Sequence, residues 1–107
     1  VEQIIKLHKP DGIITLIDRA AVTLIATLRK MDILVPHDML VGSFDDLAHV
    51  FGMSISSIRQ PLDEIGKTAI HLMQVRKNNP SSPPQTISLR GDLIQGTSTN
   101  RNSPFNL

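Results

Sequence analysis

The sequence predicts an α/β fold, a parallel sheet with flanking helices, and three neighbouring segments carry that prediction. Ile13-Ile14-Thr15-Leu16-Ile17 is a short apolar, β-branched run of the kind buried on both faces of a parallel sheet. Ala21, Leu24, Ile25 and Leu28 then recur at helical spacing. Met39 to Phe44 follows as a second strand, weakened only by Gly42. Strand, helix and strand at these intervals make a βαβ unit, because parallel neighbours need a crossover of about this length.

The remaining elements follow in order. Residues 3–7, QIIKL, are too few for an independent helix and suit the end of one begun upstream. His8 to Gly12 turns the chain at Pro10 and Asp11-Gly12. Asp18 comes directly after the first strand, placed to cap the unpaired amides of the next helix. Arg29 and Lys30 suit that helix's negative end. Met31 to Asp38 is a connector containing Pro36, and residues 45–54 form a loop or a short helical turn. Ile55 to Ile58 is a third strand. Pro61 opens a second long helix at its favoured first position, with Asp63 and Glu64 in the first turn and Arg76 and Lys77 in the last. Leu62, Ile65, Ala69, Leu72 and Met73 are its expected buried stripe. NNPSSPPQ, residues 78–85, is an exposed loop. Thr86–Leu89 and Leu93–Ile94 are two short strands split by Gly91-Asp92, and the polar tail from Thr97 is expected to fray.

Composition narrows the function. With 40% hydrophobic and 20% charged residues, the 107-residue chain fits a folded domain rather than a disordered one. Eleven basic against ten acidic residues give no electrostatic drive toward nucleic acid or an anionic membrane. There is no cysteine, hence no disulfide framework or thiol chemistry. No apolar run is long enough to span a bilayer. No GxSxG, HExxH, CxxC or phosphate-binding loop occurs, and Gly42, Gly52 and Gly66 are too dispersed to cradle a phosphate. His8, His37, His49 and His71 lack ligand spacing. No catalysis, metal or cofactor is therefore expected. The start, VEQIIKLHKPDG, has no signal-peptide layout and no initiator Met, which points to a missing N-terminal portion.

Three strings carry a family resemblance. PDGIITLIDRAAVTLIATLRKMDILVPHDMLVGSFDD, SISSIRQPLDEIGKTAIHLM and LRGDLIQGTST resemble, in order and across residues 10 to 99, the effector domain of the lactose/galactose (LacI/GalR) repressor family. That family shows a strand, an Asn-Asp pair, a helix, a connector with Val-Pro, a strand and then Gly-Phe-Asp-Asp. The resemblance implies a partial three-layer periplasmic-binding-protein-like (type I) fold, whose two lobes enclose a small-molecule cleft. Residues 10–54 would belong to the C-terminal lobe, with the chain crossing the hinge near Ser56 to Arg59. Residues 61–78 would be a helix of the N-terminal lobe, 86–96 returning strands and 97–107 the tail. The implied function is effector sensing in a cytoplasmic transcription regulator, a repressor, controlled by a sugar or related small molecule. Its partners would be that effector, a second copy in a homodimer to which the helix holding Ala21 to Leu28 contributes, and operator DNA through a head absent from this chain. No membrane partner is implied. Two alternatives share the fold: a periplasmic sugar-binding protein feeding a transporter, and an α/β interaction fragment without a ligand. The VPHD and SIRQPLDEIG strings favour the regulator.

In open α/β sheets ligands bind beyond the carboxyl ends of the strands. Asp18 and Asp45 fall at two such ends, and a carboxylate accepting from sugar hydroxyls is a suitable polar anchor. By the resemblance Asp45 matches the aspartate that contacts the effector; its other reading is a strand-end turn residue. Asp46 reads as a structural cap or turn residue. Asp18 is either a helix cap or an effector contact. Arg59, with Gln60, is a lobe-closure or effector contact, or a solvated hinge pair. Phe51, with Met53, lies in a segment shorter than the family's and lacking its Pro-Pro, and either lines the cleft, joins a subunit interface or simply packs. Two departures stand out: Ile17 occupies the place of the family's Asn, and Gln95 that of a frequent Arg.

Overall fold

A computed structural model describes all 107 residues. They divide into two units, Val1–Arg59 with Leu93–Leu107, and Gln60–Asp92. The elements run α1 (Glu2–His8), β1 (Gly12–Ile14), α2 (Asp18–Lys30), β2 (Leu40–Phe44), a 3-10 turn (Ala48–Phe51), β3 (Ser56–Arg59), α3 (Leu62–Asn78), β4 (Asp92–Ile94) and a second 3-10 turn (Thr97–Thr99).

The first unit is built on a sheet of order β1-β2-β3-β4. β1 pairs with β2 in parallel, Gly12 opposite Leu40 and Ile14 opposite Gly42. β2 pairs with β3 in parallel, Gly42 opposite Ser56 and Phe44 opposite Ile58. The βαβ expectation is thus met, but β1 is shorter and more exposed than a strand covered on both faces. Ile14 is 77% and Leu16 86% exposed. β1 lies at the edge of the sheet, and its ladder ends at Thr15, whose amide donates to Gly42 O (2.9 Å). The Thr15 hydroxyl reaches Ile17 O at 3.1 Å and so favours a local turn over further strand.

The core explains why α2 lies where it does. Ala21, Leu24, Ile25 and Leu28 recur on one stripe of the helix. They join Val35, Met39, Val41, Ala48 and Ile55 in a single buried cluster. Burying a Leu- or Ile-sized side chain contributes roughly 1.5–3 kcal/mol, so this stripe fixes the helix against the sheet. The alternate residues of β2 look elsewhere, as the period of a strand requires. Leu40, Gly42 and Phe44, with Ile14, Ile58 and Leu93, line an open hollow of about 780 Å³.

The tail is tied to the rest of the unit at several points. Ser98 is fully buried; its hydroxyl donates to Val41 O and accepts the Ser56 amide at 2.8 Å. The amides of Thr97 and Ser98 both donate to Ser54 O, and the Leu107 amide donates to Val35 O at 2.9 Å. Ser56 and Thr99 hydroxyls meet at 2.6 Å. The tail is polar in composition, but several of its polar groups find partners at Val35, Val41, Ser54 and Ser56, which is how a polar residue such as Ser98 becomes buried. Gly96 permits the approach: a Cβ there would lie 2.5 Å from the Ile55 carbonyl carbon.

The second unit holds α3. Pro61 sits at the N-cap position, one residue before the helix. The stripe expected from Leu62, Ile65, Ala69, Leu72 and Met73 is not a buried one: α3 has no buried residue, and Leu62 and Met73 are 69% and 72% exposed. Within the unit the helix meets only the segment after it. Leu72, Val75, Pro83 and Pro84 line a shallow hollow there. Thr86–Leu89 forms no strand. A strand exists only within a ladder, and the unit offers none beside it; of the expected returning strands only β4 is present. No helix is long and apolar enough to cross a membrane.

Candidate effector site

Because β1, β2 and β3 are parallel, their carboxyl ends open at one edge of the sheet. Asp18, Asp45, Asp46 and Arg59 all follow or end those strands, and hydrogen bonds tie Asp18, Asp46 and Arg59 into one cluster through Ser57.

Asp18 is 1% exposed. It does not cap its own helix. The extended N-cap backbone belongs to Ile17, and no side-chain cap bond is made there. Asp18 is already inside the first turn, so its carboxylate turns to a different helical start. Oδ2 accepts the amides of Leu47 and of Ala48 at 2.8 Å, the N-terminal amides of the 3-10 turn. Oδ1 accepts the Ser57 hydroxyl at 2.8 Å. These bonds join residues 29 to 39 positions apart in the chain.

Asp45 is half-buried and directly follows β2. Its amide donates to Ile58 O at 3.0 Å, carrying the β2–β3 ladder one residue further. Asp45 and Asp46 both have positive φ, 98° and 57°. Asp tolerates this region better than most residues, but two in succession still cost on the order of 1–3 kcal/mol each. Such a conformation persists only where its surroundings hold it. The Asp46 amide donates to Ser57 Oγ at 3.0 Å. Its carboxylate takes Arg59 Nε at 2.7 Å and Nη2 at 2.6 Å. Arg59 is 58% exposed, so solvent screens the pair and it contributes no more than about 1 kcal/mol.

Phe51 ends the 3-10 turn and is about half exposed, as are Leu47 and Ile17. Gly52, with φ 71°, closes the turn in the left-handed conformation. No group of three or more His, Cys, Asp or Glu side chains is placed to hold a metal ion.

Sequence reasoning singled out the aspartates and Arg59 but missed Ser57. This serine is 1% exposed and links Asp18 to the Asp46 amide. It also missed the Thr15–Ser43 hydroxyl pair at 3.0 Å between β1 and β2. A usable signal was present: Ser56-Ser57 and Ser43 lie inside strands, and a hydroxyl buried in a sheet must find a partner there.

Comparison with known proteins adds a consistent picture. The family model described as "periplasmic binding protein-like domain" matches residues 1–99. An HTH-type transcriptional regulator GalR of Lacticaseibacillus casei is 30% identical over 92 residues, covering 84% of this chain and 28% of that protein. An HTH-type transcriptional repressor PurR of Photobacterium profundum is 30% identical over 88 residues, covering 80% of this chain and 26% of its own length. The chain thus spans under a third of these relatives. A crystal structure of a LacI family transcriptional regulator from Enterococcus faecium with bound ribose superposes with a TM-score of 0.73 at 21% identity, covering 92% of this chain and 37% of that one; at that identity the likeness shows the fold.

Proposed function

Since the chain belongs to the periplasmic binding protein-like domain family, and to the LacI/GalR-type effector domains within it, we propose that it serves as part of the effector-sensing domain of a bacterial transcription regulator. Its effector is a sugar or a related hydroxyl-bearing small molecule, taken up beyond the carboxyl ends of β1 to β3. The regulator works in the cytoplasm as a homodimer and reaches operator DNA through a head outside these 107 residues. Effector binding favours one arrangement of the dimer over another, which is the physical condition for control. Residues 1–59 and 93–107 contribute to the C-terminal lobe of the domain, and α3 to the N-terminal lobe.

The observation that carries this reading is the Asp45–Asp46 turn. It stands at a strand end where α/β sheets bind ligands, in a backbone conformation that costs free energy and is held by several hydrogen bonds. Strain maintained at a strand end is a mark of a binding position. Asp45 accepts from effector hydroxyls, Arg59 keeps the turn in place through Asp46, and Phe51 and Ile17 offer apolar surface to a ring.

The test is calorimetric titration of ribose, sucrose, galactose and their phosphates into the protein extended upstream to the length of its relatives, with and without Asp45→Ala. Saturable binding by one of these is expected. Losing one charged hydrogen bond, about 1.5–3 kcal/mol, corresponds to a roughly 10- to 150-fold weaker Kd in the variant. No binding by any probe overturns the sugar assignment; undiminished binding by Asp45→Ala removes Asp45 from the site.

A further inference from the structure

We propose that Asp18 is a positioning residue for the effector site: without touching the ligand, its buried carboxylate holds the Asp45–Asp46 turn in the conformation that presents Asp45. This deepens the proposed function and rests on it.

Three observations lead there. First, both Asp18 oxygens are already engaged inside the chain, Oδ2 by two amides and Oδ1 by a hydroxyl. At 1% exposure no ligand hydroxyl reaches them. Second, the turn has two consecutive residues at positive φ and needs restraint from both sides. On its N-terminal side the β2–β3 ladder supplies this through the Asp45 amide and Ile58 O. On its C-terminal side the next two amides, Leu47 and Ala48, go to Asp18. Third, the middle of the turn reaches the same carboxylate by relay. The Asp46 amide donates to Ser57 Oγ, and the Ser57 hydroxyl donates to Asp18 Oδ1. The amides of residues 46, 47 and 48 therefore all lead to Asp18, the first through Ser57 and the other two directly.

The chemistry requires a carboxylate. An Asn in its place has one accepting oxygen. If that oxygen keeps the two amides, the new NH2 group faces Ser57, and the Ser57 hydroxyl proton loses its acceptor. If it keeps Ser57, the amides are orphaned. Either way at least one buried donor is left unsatisfied, and the turn gains freedom to leave the left-handed region. The tie also reaches α2, since Asp18 is that helix's first residue.

The experiment uses the upstream-extended protein with the sugar that wild type binds most tightly among ribose, sucrose and galactose. Asp18→Asn is compared with Ser57→Ala, which breaks the relay but leaves the carboxylate, and with Ile25→Val, a core change on α2 that lowers the melting temperature without touching the turn. All are titrated well below their melting temperatures, and amide exchange is followed at Leu47 and Ala48. Expected are a Kd at least 10-fold weaker for Asp18→Asn, a smaller loss for Ser57→Ala, and at least 10-fold faster exchange at Leu47 and Ala48 in Asp18→Asn. Ile25→Val is expected to stay within twofold of wild type in Kd. An Asp18→Asn protein that binds like Ile25→Val, or whose turn amides exchange at the wild-type rate, overturns the positioning role. If Asp18→Asn does not fold, Ser57→Ala decides: unchanged affinity overturns the proposal. If no sugar binds wild type, the sugar reading falls first, and the exchange rates separately show whether Asp18 holds the turn.

Discussion

Each of the two units of this chain carries a helix with an apolar stripe, and the two stripes are used differently. All ten buried apolar side chains lie in the unit formed by Val1–Arg59 and Leu93–Leu107. The unit Gln60–Asp92 contributes none, although α3 is the longest helix, at 17 residues. α2, with 13 residues, finds the face of β2 and buries Ala21, Leu24, Ile25 and Leu28. α3 repeats Leu62, Ile65, Ala69 and Leu72 at the same period and leaves them outside the core. Helical periodicity is a local property of the sequence, whereas burial needs a second surface, and only one unit supplies it. Since most helical stability in proteins comes from packing of the apolar face, α3 gains little of it within its own unit.

That contrast can be broken by experiment. The largest expected effect is at Leu28, which is fully buried. Leu28→Ala should cost about 2–5 kcal/mol in urea unfolding, whereas Leu62→Ala, at a position 69% exposed, should stay within about 0.5 kcal/mol. Equal losses would mean that α3 is packed after all. The glycines give a smaller and sharper contrast. Gly96→Ala places a Cβ 2.5 Å from backbone and should destabilise by about 1–3 kcal/mol. Gly66→Ala, with nothing within 4 Å, should raise stability by about 0.5–1 kcal/mol through helix propensity alone. A loss at Gly66 would reveal a close neighbour. The smallest effect is expected at the exposed ion pair: Arg59→Ala should cost at most about 1 kcal/mol, and less in high salt, so a larger, salt-insensitive loss would show that Arg59 anchors more than Asp46.

Much of the candidate site was legible in the residues. The strand–helix–strand pattern placed Asp18 and Asp45 at strand ends, and the strings around them carried the family resemblance. What Asp18 does was not legible. A residue after a strand and before a helix reads as that helix's cap, but capping depends on backbone dihedrals, and Ile17 holds the cap conformation. The carboxylate then serves amides some thirty positions away, a pairing that no local spacing announces. The tail shows the same limit in reverse. Its serines and threonines resemble solvated residues, and only the hydroxyl bonds of Ser98 to Val41 and Ser56 reveal a buried segment.

By itself, the sequence determined the two long helices, the parallel βαβ core and the apolar stripe of α2, because periodicity and β-branching act over a few residues. It also limited the chemistry, through the lack of cysteine and of any catalytic motif. The tertiary structure decided which stripe is buried, where the strands stop, why the polar tail packs and which donors Asp18 serves. Those outcomes depend on groups far apart in the chain meeting at hydrogen-bond or van der Waals distance, and that distance is a property of the fold rather than of any segment.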